Sequence, residues 1–299
     1  MVDLYFGLVI LVLLAMAAFW TARRLTRNAP GYRCELLAIQ VMLLMGWYTL
    51  HLWHQFSMAR LLPFANLIII GNWFLPFAGF MAGLAWHRVH GHPLRRLFVV
   101  MALPGAAFYS AIYPILGDKP ACADHWHDGI CLQTTAHTCS PASAATLLRS
   151  HDIPATEAEM VDLCLTRGGT TWAGLYRGLK VKTAGTPWDV EFFECSIEDL
   201  RLHWERDRRP MILSVGVERG DVIRPEYVTE WGLIPGLPHS VVLFRVVPNN
   251  VVVIGDPAQG REVWAWRDML NLWHGQGIRL VPRDGKAVAP VAAITSARH

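Results

Sequence analysis

The sequence predicts an α+β domain, helices first and an antiparallel sheet after them, preceded by a four-helix transmembrane region. Three observations carry that expectation. Residues 4–20, 36–53, 61–86 and 97–116 each lack Lys, Arg, Asp and Glu. Beyond residue 120 the chain reads as helices over 140–151, 156–166 and 171–181. It then turns to β-branched apolar runs near 188–194, 211–217, 239–247 and 250–255, and helices before an antiparallel sheet describe an α+β fold. The expected organisation is a membrane region over 1–117, one domain over 118–285 and a mobile tail over 286–299.

The membrane segments come first. The chain is 53% hydrophobic and 17% charged, with a mean hydropathy of +0.28, and the apolar excess is concentrated at its front. A bilayer helix needs about 20 apolar residues, which each segment reaches or nearly reaches. Segment 4–20 has Asp3 before it and Arg23 and Arg24 after it, a stop-transfer flank rather than the basic start of a cleavable leader. Trp20, Trp47, Trp53, Trp73 and Trp86 stand near segment ends, where indoles favour the membrane interface. Asn66, Asn72 and Gln40, with Pro63, Pro76 and Pro104, are the polar and kinking residues inside the segments, and interhelical hydrogen bonds are their expected use. Arg23, Arg24, Arg27 and Arg33 follow the first segment and Arg88, Arg95 and Arg96 the third, whereas the loop after the second has Arg60 alone. The positive-inside bias places the first and third connections in the cytoplasm and everything after residue 117 outside, on the periplasmic side.

The first helix of the soluble part opens at QTTAHTCSP, Gln133 to Pro141. A helix N-terminus carries partial positive charge and lowers a thiol's pKa, which makes Cys139 a candidate nucleophile. Further on, HSVVLFRVVPNNVVVIGD, residues 239–256, has two apolar runs separated by Pro248, Asn249 and Asn250, the pattern of an antiparallel hairpin. His239 opens one strand and Asp256 closes the other, so the carboxylate is expected beside the imidazole.

The order Cys139, His239, Asp256, with Gln133 six residues before the thiol, resembles the papain-like cysteine peptidases, and more closely the C39 group that trims bacteriocin leaders. The resemblance runs over about residues 125–282. It rests on the Gln-x5-Cys entry to a helix, the helix Thr171 to Leu179 after RGG, and the strand pair holding His239. The GDPAQGR turn, Gly255 to Arg261, and the closing WAWRDMLNLWHGQGIRL complete it. It implies that Cys139 attacks a peptide carbonyl, that His239 forms an ion pair with the thiol and protonates the leaving amine, and that Asp256 orients His239. Gln133 and the Cys139 backbone N–H would line the oxyanion hole. Many relatives carry Gly after the cysteine, and here Ser140 stands there. Double-glycine leaders are the substrate class the resemblance implies.

The function classes that remain are a membrane-anchored cysteine peptidase acting on a peptide or protein substrate, a peptide-binding module of the same fold without turnover, and a thiol-dependent transpeptidase or amidase. The chain has no P-loop GxxxxGK[ST], so a separate export system is the expected companion rather than a built-in one. The long excursion between Gly216 and His239 borders the expected groove, with Tyr227 and Trp231 as substrate-contact candidates. Removing Cys139 from the thiols of the soluble part leaves Cys122, Cys131, Cys164 and Cys195, with Cys122 and Cys131 the nearest possible disulfide and four free thiols the alternative.

No metal or cofactor is implied. His51 and His54 lie on the opposite membrane face from His87, His90 and His92, and His125, His127 and Asp128 lack a fourth ligand. Net charge is +3 without a basic stripe interleaved with aromatics in the soluble part, which argues against nucleic acid as a partner.

Overall fold

The computed structural model describes residues 2–52, 68, 69, 71–219, 224–248 and 250–283. The chain divides into two compact units, Met1–Leu116 and Gly117–His299.

The N-terminal unit has four helices among the described residues: α1 (Val2–Thr26), α2 (Gly31–His51), α3 (Phe74–Ala85) and α4 (Pro93–Ile112). Pro30 caps α2, and Pro93 stands in the first turn of α4, where His92 Nδ1 accepts the Leu94 N–H at 3.3 Å. With the turn Tyr113–Ile115 that continues α4, three helices among the described residues are long and apolar enough to cross a membrane, α1, α2 and α4. Three of the four expected spans are thus present at full length among the described residues. The third segment contains a helix of only 12 residues, α3, and its part over 61–67 lies outside the described residues, as do Pro63 and Asn66.

Leu13, Leu43, Phe98 and other large apolar side chains of α1, α2 and α4 point outward, while small residues line the contacts between helices. A Cβ on Gly79 or Gly83 of α3 would run into the carbonyl oxygens of Ala15 and Phe19 on α1, so glycine allows the two backbones to touch. Asn72 donates from Nδ2 to Ser110 Oγ on α4 at 3.2 Å, the interhelical use its place in an apolar segment suggests.

In the C-terminal unit a short hairpin, β1 (Trp126–His127) with β2 (Ile130–Cys131), leads into α5 (Cys139–Arg149). Small residues in the first turns of α5, Ser140, Ala142, Ser143, Ala144 and Ala145, are all buried, which lets the helix lie close to the sheet. Then follow α6 (Glu157–Leu163), α7 (Trp172–Thr183) and α8 (Ile197–Asp207), whose N-caps Thr156, Thr171 and Ser196 each accept a backbone N–H two or three residues into the helix. The sheet comprises β3 (Trp188–Glu194), β4 (Met211–Val215), β5 (His239–Val247), β6 (Val251–Asp256), β7 (Gly260–Ala265) and β8 (Trp273–Pro282), and α9 (Pro225–Thr229) and α10 (Trp266–Leu272) lie in its connections. Strand order is β3-β8-β4-β5-β6-β7, with every neighbour antiparallel.

Leu213, Val241, Leu243, Val252, Ile254 and Trp264 form one buried face of the sheet, with Leu200 and Trp204 of α8 packed over it. β7 and β8 were not expected. β8 places Gly275 and Gly277 in its first half, and the ring of Phe193 fills the space a Cβ at Gly277 would need, so this strand is made by its partner rather than by its own propensity. The tail expected over 286–299 lies outside the described residues.

Candidate active site

Cys139 is the first residue of α5, so its own N–H has no acceptor within the helix. The approach to it is rigid. Thr138 Oγ1 accepts the Thr135 N–H at 3.1 Å and donates to the Thr135 carbonyl at 3.0 Å, and the Thr138 carbonyl takes the Ala142 N–H at 3.0 Å. The first turn of α5 is then pinned to the first turn of the hairpin partner, β5: Ser140 Oγ lies 2.8 Å from Ser240 Oγ, and Ser143 Oγ donates to the Ser240 carbonyl at 2.9 Å. These two bonds, a hundred residues apart in sequence, bring Cys139 to His239.

The β5–β6 hairpin forms as its two apolar runs suggest, with Val242 opposite Gly255 and Leu243 opposite Ile254. That register sets Asp256 beside the start of β5, where His239 Nε2 and Asp256 Oδ1 are 2.8 Å apart. Asp256 is fully buried, and its Oδ1 also accepts the Ala258 N–H at 2.6 Å, which fixes the carboxylate. Nε2 is committed to Asp256, and the Cys139 thiol is near enough to His239 for each to shift the other's pKa. Cys139, His239 and Asp256 form one electrostatically coupled group whose fixed link is the His239–Asp256 hydrogen bond.

Electrostatics follow that geometry. Burial acts to lower the pKa of His239, but the hydrogen bonds to Asp256 and Cys139 and the charges of both outweigh it and raise it to about 10. Burial acts to raise Cys139, yet the hydrogen bond and charge of His239, the Ser240 backbone N–H and the Ser140 hydroxyl hold it below the ordinary thiol value. The other thiols of this unit go the opposite way. Burial pushes Cys122 and Cys195 up to about 11 and Cys131 and Cys164 to about 12. Only Cys139 among these five is held below the ordinary thiol value, the direction a nucleophilic thiolate needs.

Gln133 lies beyond β2, and its backbone N–H donates to the Pro257 carbonyl at 2.8 Å, which ties it to the residue after Asp256. Its side-chain Oε1 is buried and has no hydrogen-bond partner among the described residues, so the amide keeps unused bonding capacity.

The two aromatic candidates of the excursion before β5 are both packed against neighbours. Tyr227 is buried, and its hydroxyl donates to Asp268 Oδ1 at 2.8 Å, while Trp231 stacks on Trp264 at 4.6 Å and 3° between planes. Tyr227 is thus a core residue whose hydroxyl is already bonded, and one face of Trp231 is covered. Cys122 and Cys131 are free thiols rather than a disulfide: the Cys122 thiol turns to the Pro120 carbonyl at 3.6 Å, and Cys131 is buried beside Thr146. His127 Nε2 and Asp128 Oδ2 are 3.5 Å apart and both exposed, and no three His, Cys, Asp or Glu converge as metal ligands among the described residues.

Sequence reasoning missed two contributors. Ser240 follows His239 directly and carries the docking of α5, a role no local pattern announces. Glu262 of β7 sits opposite Ile254, two residues from the Asp256–Gly260 pair on the same sheet face, and accepts from Trp264 Nε1 at 2.9 Å. Burial chiefly, then the nearby Asp256 charge, raise its pKa to about 7 against the Trp264 hydrogen bond and the His239 charge.

No family model matches the chain, and no curated protein matches it. Among solved structures it is similar to the peptidase domain of Streptococcus ComA, a bi-functional ABC transporter involved in a quorum-sensing pathway, at 20% identity and a TM-score of 0.41. That match covers 52% of this chain and 100% of the other. It is also similar to a double-glycine motif protease from an AMS/PCAT transporter in complex with the leader peptide, at 16% identity over 51% of this chain and 90% of the other, with a TM-score of 0.38. The Streptococcus mutans ComA peptidase domain aligns at 20% identity over 52% of this chain and 99% of the other, with a TM-score of 0.33.

Proposed function

We propose that the C-terminal unit is a cysteine peptidase of the C39 type, held at a membrane by the N-terminal unit. The observation that carries this reading is the 2.8 Å hydrogen bond of His239 to the buried Asp256, coupled to Cys139 so that the thiol is lowered and the imidazole raised.

In the proposed reaction the Cys139 thiolate attacks the scissile carbonyl carbon. Negative charge then grows on the carbonyl oxygen, for which the free N–H at the start of α5 and the Gln133 amide are the available donors. His239, cationic in the resting pair, gives its proton to the leaving amine as the C–N bond breaks. Neutral His239 next takes a proton from water, whose oxygen attacks the thioester and releases the acid. Asp256 holds the ring and favours its cationic form throughout. Peptides with double-glycine leaders are the proposed substrates, on the resemblance of the motifs around Gln133, Cys139 and His239.

α1, α2 and α4 are the proposed anchor. The arginine-rich connections α1–α2 and α3–α4 are cytoplasmic by the positive-inside bias, which supports an extracytoplasmic peptidase. Mass spectrometry after a peptide-like thiol trap tests the chemistry, comparing wild type with Cys139→Ala and His239→Ala. An adduct at Cys139 that requires His239 is expected. Equal slow labelling of every exposed thiol would sink the peptidase reading and favour a peptide-binding module, and product mass separates hydrolysis from transfer.

A further inference from the structure

The arginine-rich end of the N-terminal unit is more than a charged rim. Arg23, Arg24, Arg27, Arg33, Arg88, Arg95 and Arg96 gather there from the end of α1, the start of α2, the end of α3 and the start of α4, and Glu35 is the nearest acidic residue in sequence. None of these seven pairs with a carboxylate among the described residues.

Two of them are also fixed in place. The Arg23 guanidinium carbon lies 4.9 Å from the centre of the Trp20 ring and 5.1 Å from that of Trp86, so the cation sits between two indoles. Arg96 reaches the same Trp86 at 5.8 Å, and its Nε donates to the Val89 carbonyl at 2.9 Å, with no hydrogen bond from its two terminal nitrogens among the described residues. Phe19 meets Trp86 edge-on at 5.6 Å. The close approach of α3 to α1 at Gly79 and Gly83 holds Trp86 there, three residues beyond Gly83.

We infer that the corner formed by Trp20, Arg23, Trp86 and Arg96 is a binding site for the phosphodiester headgroup of an anionic phospholipid. Guanidinium groups match phosphate oxygens in a planar fork, and arginines half-removed from water on indole faces gain most from an anion that approaches from the open side. Tryptophans mark the depth of the headgroup layer, and exposed apolar side chains such as Leu13, Leu94 and Leu97 offer the adjoining surface to acyl chains. The inference rests on reading this unit as membrane-embedded.

The test uses the full chain in detergent micelles, with native mass spectrometry reading bound lipid after addition of phosphatidylglycerol or phosphatidylcholine. Wild type is expected to retain phosphatidylglycerol over phosphatidylcholine. Arg23→Gln and Arg96→Gln are each expected to weaken that retention about fivefold, since a basic residue near an anionic surface contributes on that scale. Arg201→Gln, in the other unit, should leave it unchanged, and Arg23→Lys should keep part of it because charge survives while the stacked plane is lost. Equal retention of both lipids, unchanged retention in the two Gln variants, or displacement of the lipid by millimolar inorganic phosphate would each overturn the proposal. Carbonate extraction separates the two levels: release of the chain from membranes refutes the embedded reading and this site with it, whereas a chain that stays and shows no lipid preference refutes the site alone.

Discussion

Replacing Asp256 by Asn keeps the shape of the site and removes one charge, which makes it the sharpest probe of the thiol–imidazole pair. Asp256 is fully buried and 2.8 Å from His239 Nε2, so little solvent screens the two. An opposite charge at such range moves a pKa by about 1–3 units, each worth about 1.4 kcal/mol. The His239 value of about 10 should therefore fall by that amount. The sign for Cys139 is opposite: a less stable imidazolium stabilises the thiolate less, so the thiol pKa rises. In the pH profile of peptide turnover both limbs move inward, the alkaline one by about 1–3 units. The acidic limb is also read without substrate, as the midpoint for alkylation of Cys139 by iodoacetamide, which should shift upward in Asp256→Asn. Superimposable alkylation profiles in wild type and variant would refute the account in which the carboxylate sustains the ion pair.

Two further perturbations probe the surroundings. Ser140→Ala removes the 2.8 Å contact with Ser240 and leaves a buried hydroxyl without its partner, a cost of about 1–3 kcal/mol in thermal or urea unfolding; it should also slow alkylation of Cys139 at neutral pH, because α5 loses a tie to β5 and the thiol a hydrogen bond. Normal stability with normal thiol reactivity would contradict that positioning role. Glu262 has its folded pKa raised to about 7, above the 4.5 of a free carboxyl, so the stability it contributes is complete below about 4.5 and lost as pH rises through about 7. Glu262→Gln should reduce the fall in melting temperature between pH 5 and pH 8, and an unchanged fall would assign that pH dependence to other groups.

The element types around the site were legible because local patterns specify them. The two apolar runs over 239–256, broken at Pro248–Asn250, encode a hairpin, and a hairpin of that length puts His239 beside Asp256. The thiol at a helix start was equally local, since helix geometry alone leaves the Cys139 N–H free. Other features had no local signature. The disulfide suggested by the spacing of Cys122 and Cys131 is not formed, and the aromatic groove candidate Tyr227 is a core residue whose hydroxyl is bonded to Asp268. Burial depends on what packs against a residue, which spacing does not encode.

By itself the sequence determined the membrane-like front, the α-then-β order of the second unit, and the residue types of a thiol, an imidazole and a carboxylate in their chain order. These follow from periodicity and from contacts within about twenty residues, where chain connectivity does the placing. Tertiary structure alone decided that β8 enters between β3 and β4, that Ser140 and Ser240 clasp α5 to β5, and that Glu262 stands near Asp256. It likewise decided that Arg23 lies between Trp20 and Trp86. Each of these joins residues far apart in the chain, and such pairings are chosen by the packing of whole elements, through shape and burial that no single segment contains.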